Sequence, residues 1–154
     1  MSAIAIPPPL LDTLALVADA AAGARHEWWI IGSAAVALHG GDVGCPKDVD
    51  LLMSAPDADG LLRRVGAEVR RGTGEGRFRS EVFGIWTKPS VPVEAFGGFW
   101  LLTEGVWRTV QLGTREAICI GDRQVFVPER KELVQLLRSF GRRKDLERAQ
   151  LLGG

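Results

Sequence analysis

Apolar residues at Leu10, Leu11, Leu14, Val17, Ala18 and Ala21 recur every three or four positions, which predicts a helix from 10 to about 24 with Gly23 at its end. Residues 1–9 read as a tail closed by Pro7, Pro8 and Pro9. The short aromatic and β-branched run 28–31 predicts a buried strand. Gly32-Ser33 breaks that run, the alanine-rich stretch 34–39 starts a second helix, and Gly40-Gly41 stops it. Val49, Leu51 and Leu52 define another strand. A helix over 58–65 follows, with Asp57 or Asp59 as its cap. The glycine-rich segment 71–77 reads as a flexible hairpin loop before strands at 78–86 and 91–96. Weaker strand signals lie at 106–112 and 117–120, and Gly121-Asp122 marks a turn into 124–127. Pro128 opens a helix over 129–140, and a last helix covers 144–152. This order predicts an α/β (α+β) fold: a mixed, mostly antiparallel sheet with helices packed on one side.

The 154 residues suit one domain spanning 1–154, and a composition of 46% hydrophobic and 25% charged residues is ordinary for a globular chain. Nineteen basic residues balance nineteen acidic ones, which argues against broad adhesion to nucleic acid or membrane. No apolar run approaches the roughly 20 residues of a membrane span, and residues 1–11 lack the basic start of a signal peptide. A soluble, cytoplasmic protein with no membrane partner is expected. Cys45 and Cys119 form no CxxC and have no histidine at zinc spacing, so two free thiols are expected.

Candidate chemistry concentrates in Lys47-Asp48-Val49-Asp50-Leu51-Leu52. Side chains alternate along a strand, so Asp48 and Asp50 share a face while Val49 and Leu51 point into the core. Two carboxylates so placed repel each other unless a cation lies between them, and an all-oxygen set favours Mg²⁺ or Mn²⁺. The same pair also suits a strand end that faces water. Upstream, Gly32 permits close backbone approach, and Ser33 at a helix start offers a hydroxyl to a phosphate, although an ordinary helix cap would look alike. Downstream, Glu94 interrupts the apolar run Val91-Pro92-Val93-Glu94-Ala95-Phe96. It completes a three-carboxylate cluster if the two strands are neighbours, and is a solvent-facing glutamate if they are not.

Ile31-Gly32-Ser33, Asp48-Val49-Asp50 and Val93-Glu94-Ala95 together resemble the DNA polymerase beta-like nucleotidyltransferase superfamily. Its pattern is strand, Gly-Ser, helix, hydrophobic-Asp-hydrophobic-Asp, then a third strand carboxylate. Ala34 to Gly40, with its Leu-His-Gly ending, is similar to the corresponding helix of small bacterial members. Pro128 with Leu133, and Arg143-Lys144-Asp145-Leu146, look like the ending of minimal, toxin-like members. Three positions depart from the pattern. The stretch 42–47 offers Lys47 as its only cation, Leu137 and Arg138 stand where many toxin-like relatives carry a lysine, and the third carboxylate is Glu94 rather than Asp.

The resemblance implies a two-metal transfer of a nucleoside monophosphate from an NTP to a hydroxyl acceptor on a small molecule, tRNA or protein. Asp48, Asp50 and Glu94 become the catalytic and metal-binding carboxylates for Mg²⁺ or Mn²⁺. Gly32, Ser33, Lys47 and Lys144 become nucleotide-binding residues. The basic residues of 138–148, Arg138, Arg142, Arg143, Lys144 and Arg148, would finish the site, with Lys144 reaching a phosphate, or are a solvated helix end. The arginine-rich stretch 61–79 would contact RNA or a phosphorylated acceptor, or is exposed helix and loop surface, and a protein partner also stays open. The five tryptophans read as core and strand filler, and His39 as a helix-surface or capping residue. A catalytically degenerate module that binds a nucleotide or a partner protein is the alternative.

Overall fold

The computed structural model describes residues 6–154, so most of the expected tail lies outside the described residues. The first helix, α1 (Pro8–Ala20), already contains Pro8 and Pro9. Proline is tolerated there because the first turn of a helix has no partner for its N–H groups. Then come β1 (Trp29–Ile31), α2 (Gly32–Leu38), β2 (Val49–Met53), α3 (Ala55–Arg64), β3 (Arg70–Glu75), β4 (Phe78–Trp86) and β5 (Val93–Thr103). The chain continues through β6 (Val106–Thr109), β7 (Glu116–Ile120), β8 (Arg123–Val127), α4 (Arg130–Phe140) and α5 (Arg143–Leu151).

The main sheet has six strands in the order β1-β2-β5-β4-β3, with β6 paired to the far half of β5. Only β2 and β5 run parallel, and β7 and β8 form a separate two-stranded sheet. The sheet is thus mixed and mostly antiparallel, as the element order implied.

Strand alternation sorts the side chains. Val49, Leu51 and Met53 of β2, with Val93 and Ala95 of β5, join the larger apolar core, which also holds Leu10, Leu14 and Val17 of α1 and Leu61 and Leu62 of α3. Leu52 belongs instead to a smaller cluster with Ile31, Phe99, Leu101, Leu136 and Phe140. Helix α4 bridges the two, giving Leu133 and Leu137 to the first and Leu136 and Phe140 to the second. Asp50 lies between Val49 and Leu51, and so faces away from the larger core.

Three local expectations are corrected. Residues 71–77 are not a flexible loop: Arg70–Glu75 is a strand paired with β4 from Arg70↔Phe83 to Glu75↔Phe78, leaving a two-residue turn. Gly74 is there for fit, because a Cβ on it would stand 2.6 Å from the Phe78 carbonyl oxygen. The strand expected to stop at 96 continues to Thr103, because β4 pairs with it as far as Phe78↔Leu101 and β6 from Trp100↔Thr109 to Thr103↔Val106; Gly97 lets it pass close to α3, where a Cβ would meet Ala58 Cβ at 2.6 Å. The cap of α3 is neither Asp57 nor Asp59. Ser54 Oγ accepts the Asp57 N–H at 3.2 Å, and a proline in the first turn fixes the helix start ahead of both aspartates.

Candidate active site

The parallel pairing of β2 with β5 sets Asp50 directly beside Glu94. Asp48, two residues ahead of Asp50, lies just before β2. The three carboxylates converge: each offers an oxygen within 4.8 Å of the others. All three are partly exposed as residues, yet Asp50 Oδ1 is shielded from solvent and has no hydrogen-bond partner. Burial, then the charges of Asp48 and Glu94, hold the Asp50 carboxyl well above the usual carboxylate range. Glu94 is also raised, by burial and by Asp48, while hydrogen bonding with Asp50 and the charges of Lys144 and Arg142 pull it back. Like charges forced together around an unsatisfied buried oxygen are what a divalent cation relieves. The all-carboxylate donor set suits Mg²⁺ or Mn²⁺.

A cleft of about 760 Å³ opens over this cluster. Ser33, Lys47 and Lys144 line it together with Asp48, Asp50 and Glu94, so these six expected site residues share one cavity. Gly32 does not line it. It has φ +69°, and a Cβ on it would meet Asp50 Oδ2 at 2.6 Å, so this glycine makes room for the aspartate. Helix α5 turns one face to the cleft, with Lys144, Glu147, Arg148 and Leu151 at helical spacing. Arg142 and Arg148, from the basic stretch 138–148, line the cleft as well, whereas the aromatic floor of Phe78, Phe83, Phe96, Phe99 and Phe140 was not singled out from the sequence. The floor carried no local signal, because its phenylalanines read as ordinary strand and helix residues.

Most of the arginine-rich stretch 61–79 is internally committed. Arg63 and Arg71 both pair with Asp59, Arg70 with Glu68, and Arg64 and Arg77 donate to the carbonyls of Ala20 and Phe140. Arg79 lines the cleft and lies 3.9 Å over the Trp107 ring. Trp28 and Trp86 are buried in the core, as the filler reading implied. His39 is the C-cap residue of α2; its largely buried ring bonds the Pro128 carbonyl at 2.7 Å, away from the carboxylates. Cys45 and Cys119 are free thiols, and Cys45 lines the cleft.

Among solved structures, a candidate nucleotidyltransferase from Thermotoga maritima superposes with a TM-score of 0.77 at 22% identity, covering 97% of this chain and 93% of that one. The chain has the nucleotidyltransferase fold. The lincosamide antibiotic adenylyltransferase LnuA, solved with lincomycin bound, matches with a TM-score of 0.58 at 12% identity over 97% of this chain and 98% of its own. The antibiotic-resistance factor ANT(2″)-Ia matches with a TM-score of 0.56 at 13% identity, over 92% and 83%. No protein-family model matches the chain, and no curated protein does. No helix among the described residues is long and apolar enough to cross a membrane.

Proposed function

We propose that this protein is a cytoplasmic, single-domain nucleotidyltransferase that moves a nucleoside monophosphate from an NTP to a hydroxyl acceptor. The reading covers acceptors on small molecules, tRNA and proteins, including those of toxin-like systems. One observation carries it: three carboxylates with oxygens within 4.8 Å of one another, around a buried Asp50 oxygen that nothing in the protein satisfies.

Divalent ions held there would polarise the triphosphate and acidify the acceptor hydroxyl. Asp48 and Asp50 would hold the ion that grips the triphosphate. Glu94, beside Asp50 across the β2–β5 pairing, would help hold a second ion or take the acceptor proton. Ser33, Lys47 and Lys144 hold the β- and γ-phosphates, with Gly32 keeping Asp50 in position. The acceptor oxygen then attacks the α-phosphorus, and pyrophosphate leaves. The cation shortage in 42–47 is offset in space, since Arg142, Lys144 and Arg148 reach the same cleft. That offset favours an active enzyme over a degenerate module.

Calorimetric titration of the four NTPs with Mg²⁺ or Mn²⁺ tests this on the wild type and on an Asp48→Asn/Asp50→Asn protein. Metal-dependent binding that disappears in the variant is the expected result. Absence of binding by the wild type would sink the proposal and support the degenerate module.

A further inference from the structure

Arg142 occupies an unusual position. It is the N-cap residue of α5, a place normally held by a short polar side chain. It is held there by Asp145, of whose side chain only 1% is exposed. Asp145 Oδ2 accepts the Arg142 backbone N–H at 3.2 Å and Nε–H at 2.6 Å, and Oδ1 accepts from Nη2 at 3.1 Å. The guanidinium carbon lies 4.8 Å over the Phe78 ring. A buried carboxylate on one edge and an aromatic face below leave this fork little freedom, while 44% of the arginine side chain stays exposed.

Two of the guanidinium's five N–H donors are engaged by Asp145. The rest have no partner among the described residues, and the residue lines the same cleft as the carboxylates. Lys144 and Arg148 line the same wall, and neither forms an ion pair among the described residues. A planar fork fixed in this way suits the oxygens of a phosphate, whereas a lysine would act only as a mobile point charge. We infer that Arg142, held by the buried carboxylate of Asp145, is a preset phosphate-binding arm of the cleft. Asp145 is then a positioning residue: it touches no ligand and sets the angle of the one that does. The inference rests on the triphosphate reading of the site and extends it to a residue pair outside the carboxylate cluster.

The alternative is that the pair only caps α5, and a structural cap and a ligand arm predict different results. The probes are magnesium-loaded tripolyphosphate and Mn²⁺ alone, measured by calorimetry on wild type, Arg142→Gln, Arg142→Lys and Asp145→Asn, with thermal melts as the check on folding. Arg142→Gln is expected to weaken tripolyphosphate by about tenfold or more, the scale of a lost charge-assisted fork. Mn²⁺ affinity should hold, and Arg142→Lys should recover only part of the loss. Asp145→Asn is the sharper probe. It removes a negative charge near a polyanion site, so charge alone predicts tighter binding, whereas a positioning role predicts weaker binding. Folded Asp145→Asn that binds as well as wild type, or better, overturns the positioning role. Arg142→Gln that binds like wild type overturns the arm, whether or not Asp145→Asn folds. Wild type that binds Mn²⁺ but no tripolyphosphate defeats the triphosphate reading itself, which is a separate failure.

Discussion

Gly32 and Asp50 are in such close approach that a Cβ on the glycine would stand 2.6 Å from Oδ2 of the aspartate. Two requirements meet at Gly32: a φ of +69° and empty space where a side chain would be. Gly32→Ala should therefore fail twice. The left-handed backbone costs about 1–2 kcal/mol for a residue with a Cβ, and the Asp50 carboxylate must swing away. Affinity for Mn²⁺ should fall by about tenfold or more, the loss typical when a ligand's support is removed. Urea melts and metal titration on the same protein check both effects. Unchanged metal affinity in a folded Gly32→Ala would mean that the contact does not set the site.

Asp50 should destabilise the protein that carries it until a metal arrives. Burial, Asp48 and Glu94 raise its carboxyl, so the folded state holds the proton more tightly than the unfolded chain does. Stability of the metal-free protein therefore falls as pH rises from the ordinary carboxylate value of about 4 towards the raised folded value, and the loss is complete above it. Asp50→Asn removes that penalty, and the metal-free variant should be more stable than wild type at pH 8 by about 1–3 kcal/mol, the cost of an unsatisfied buried group. Millimolar Mg²⁺ should reverse the order, because only wild type gains from binding. Thermal melts at pH 5 and pH 8, with and without Mg²⁺, test this; a metal-free variant less stable than wild type at pH 8 contradicts it.

Asp57 should titrate in the opposite sense. Its burial raises the carboxyl, but the N–H groups of Arg25 and His26, with the Ser54 hydroxyl, outweigh that and leave it lowered. Those N–H bonds measure 3.0 and 2.9 Å and tie the loop before β1 to the start of α3. A depressed folded value means that the stabilisation is present above about pH 4 and is lost as pH falls through the folded value. Asp57→Ala should cost about 2–3 kcal/mol at pH 7, as expected for hydrogen bonds to a charged group. Urea unfolding at pH 7 and pH 3 should show the gap between variant and wild type closing in acid. A gap that stays constant would mean that the contribution is packing rather than charge.

How much of this was legible depends on the range of the cause. Asp48 and Asp50 stood out through two-residue alternation, and Glu94 through its interruption of an apolar run, both local patterns. Their convergence was not local, since it needs β2 and β5 to pair in parallel at Asp50↔Glu94, with helix α3 and strands β3 and β4 intervening in the chain. The same limit hid β3. Arg70 to Glu75 carries two glycines and almost no apolar side chains, and becomes a strand because β4 pairs with it. Gly32 was legible as a special residue but for another reason: its close neighbour in the fold is Asp50. Arg142 was legible as one of several basic residues of 138–148, but its pairing with Asp145 was not, because arginine is not a usual cap.

Thr13 shows how a residue remote from the carboxylates supports the strand that carries Glu94. It is fully buried in α1, and its hydroxyl donates to the Val91 carbonyl at 3.2 Å while accepting the Val91 N–H at 2.9 Å. Val91 lies two residues before β5, so this one side chain satisfies both backbone groups where the strand begins. Thr13→Val keeps the shape and removes both bonds, leaving a donor and an acceptor buried without partners. The expected loss is about 2–4 kcal/mol, at one to three per group with some relaxation. Thr13→Ser keeps the hydroxyl and should lose less, mostly through the missing methyl, at about 1 kcal/mol. Urea unfolding of the two variants separates polar satisfaction from packing. Equal losses would mean that packing dominates, whereas a much larger loss in Thr13→Val assigns the stability to the hydroxyl. Mn²⁺ titration of folded Thr13→Val then asks whether the tether also fixes Glu94. Affinity should drop by only about two- to threefold, less than the tenfold or more that is typical when a ligand's direct support is lost, because the β2–β5 ladder still holds Glu94 beside Asp50.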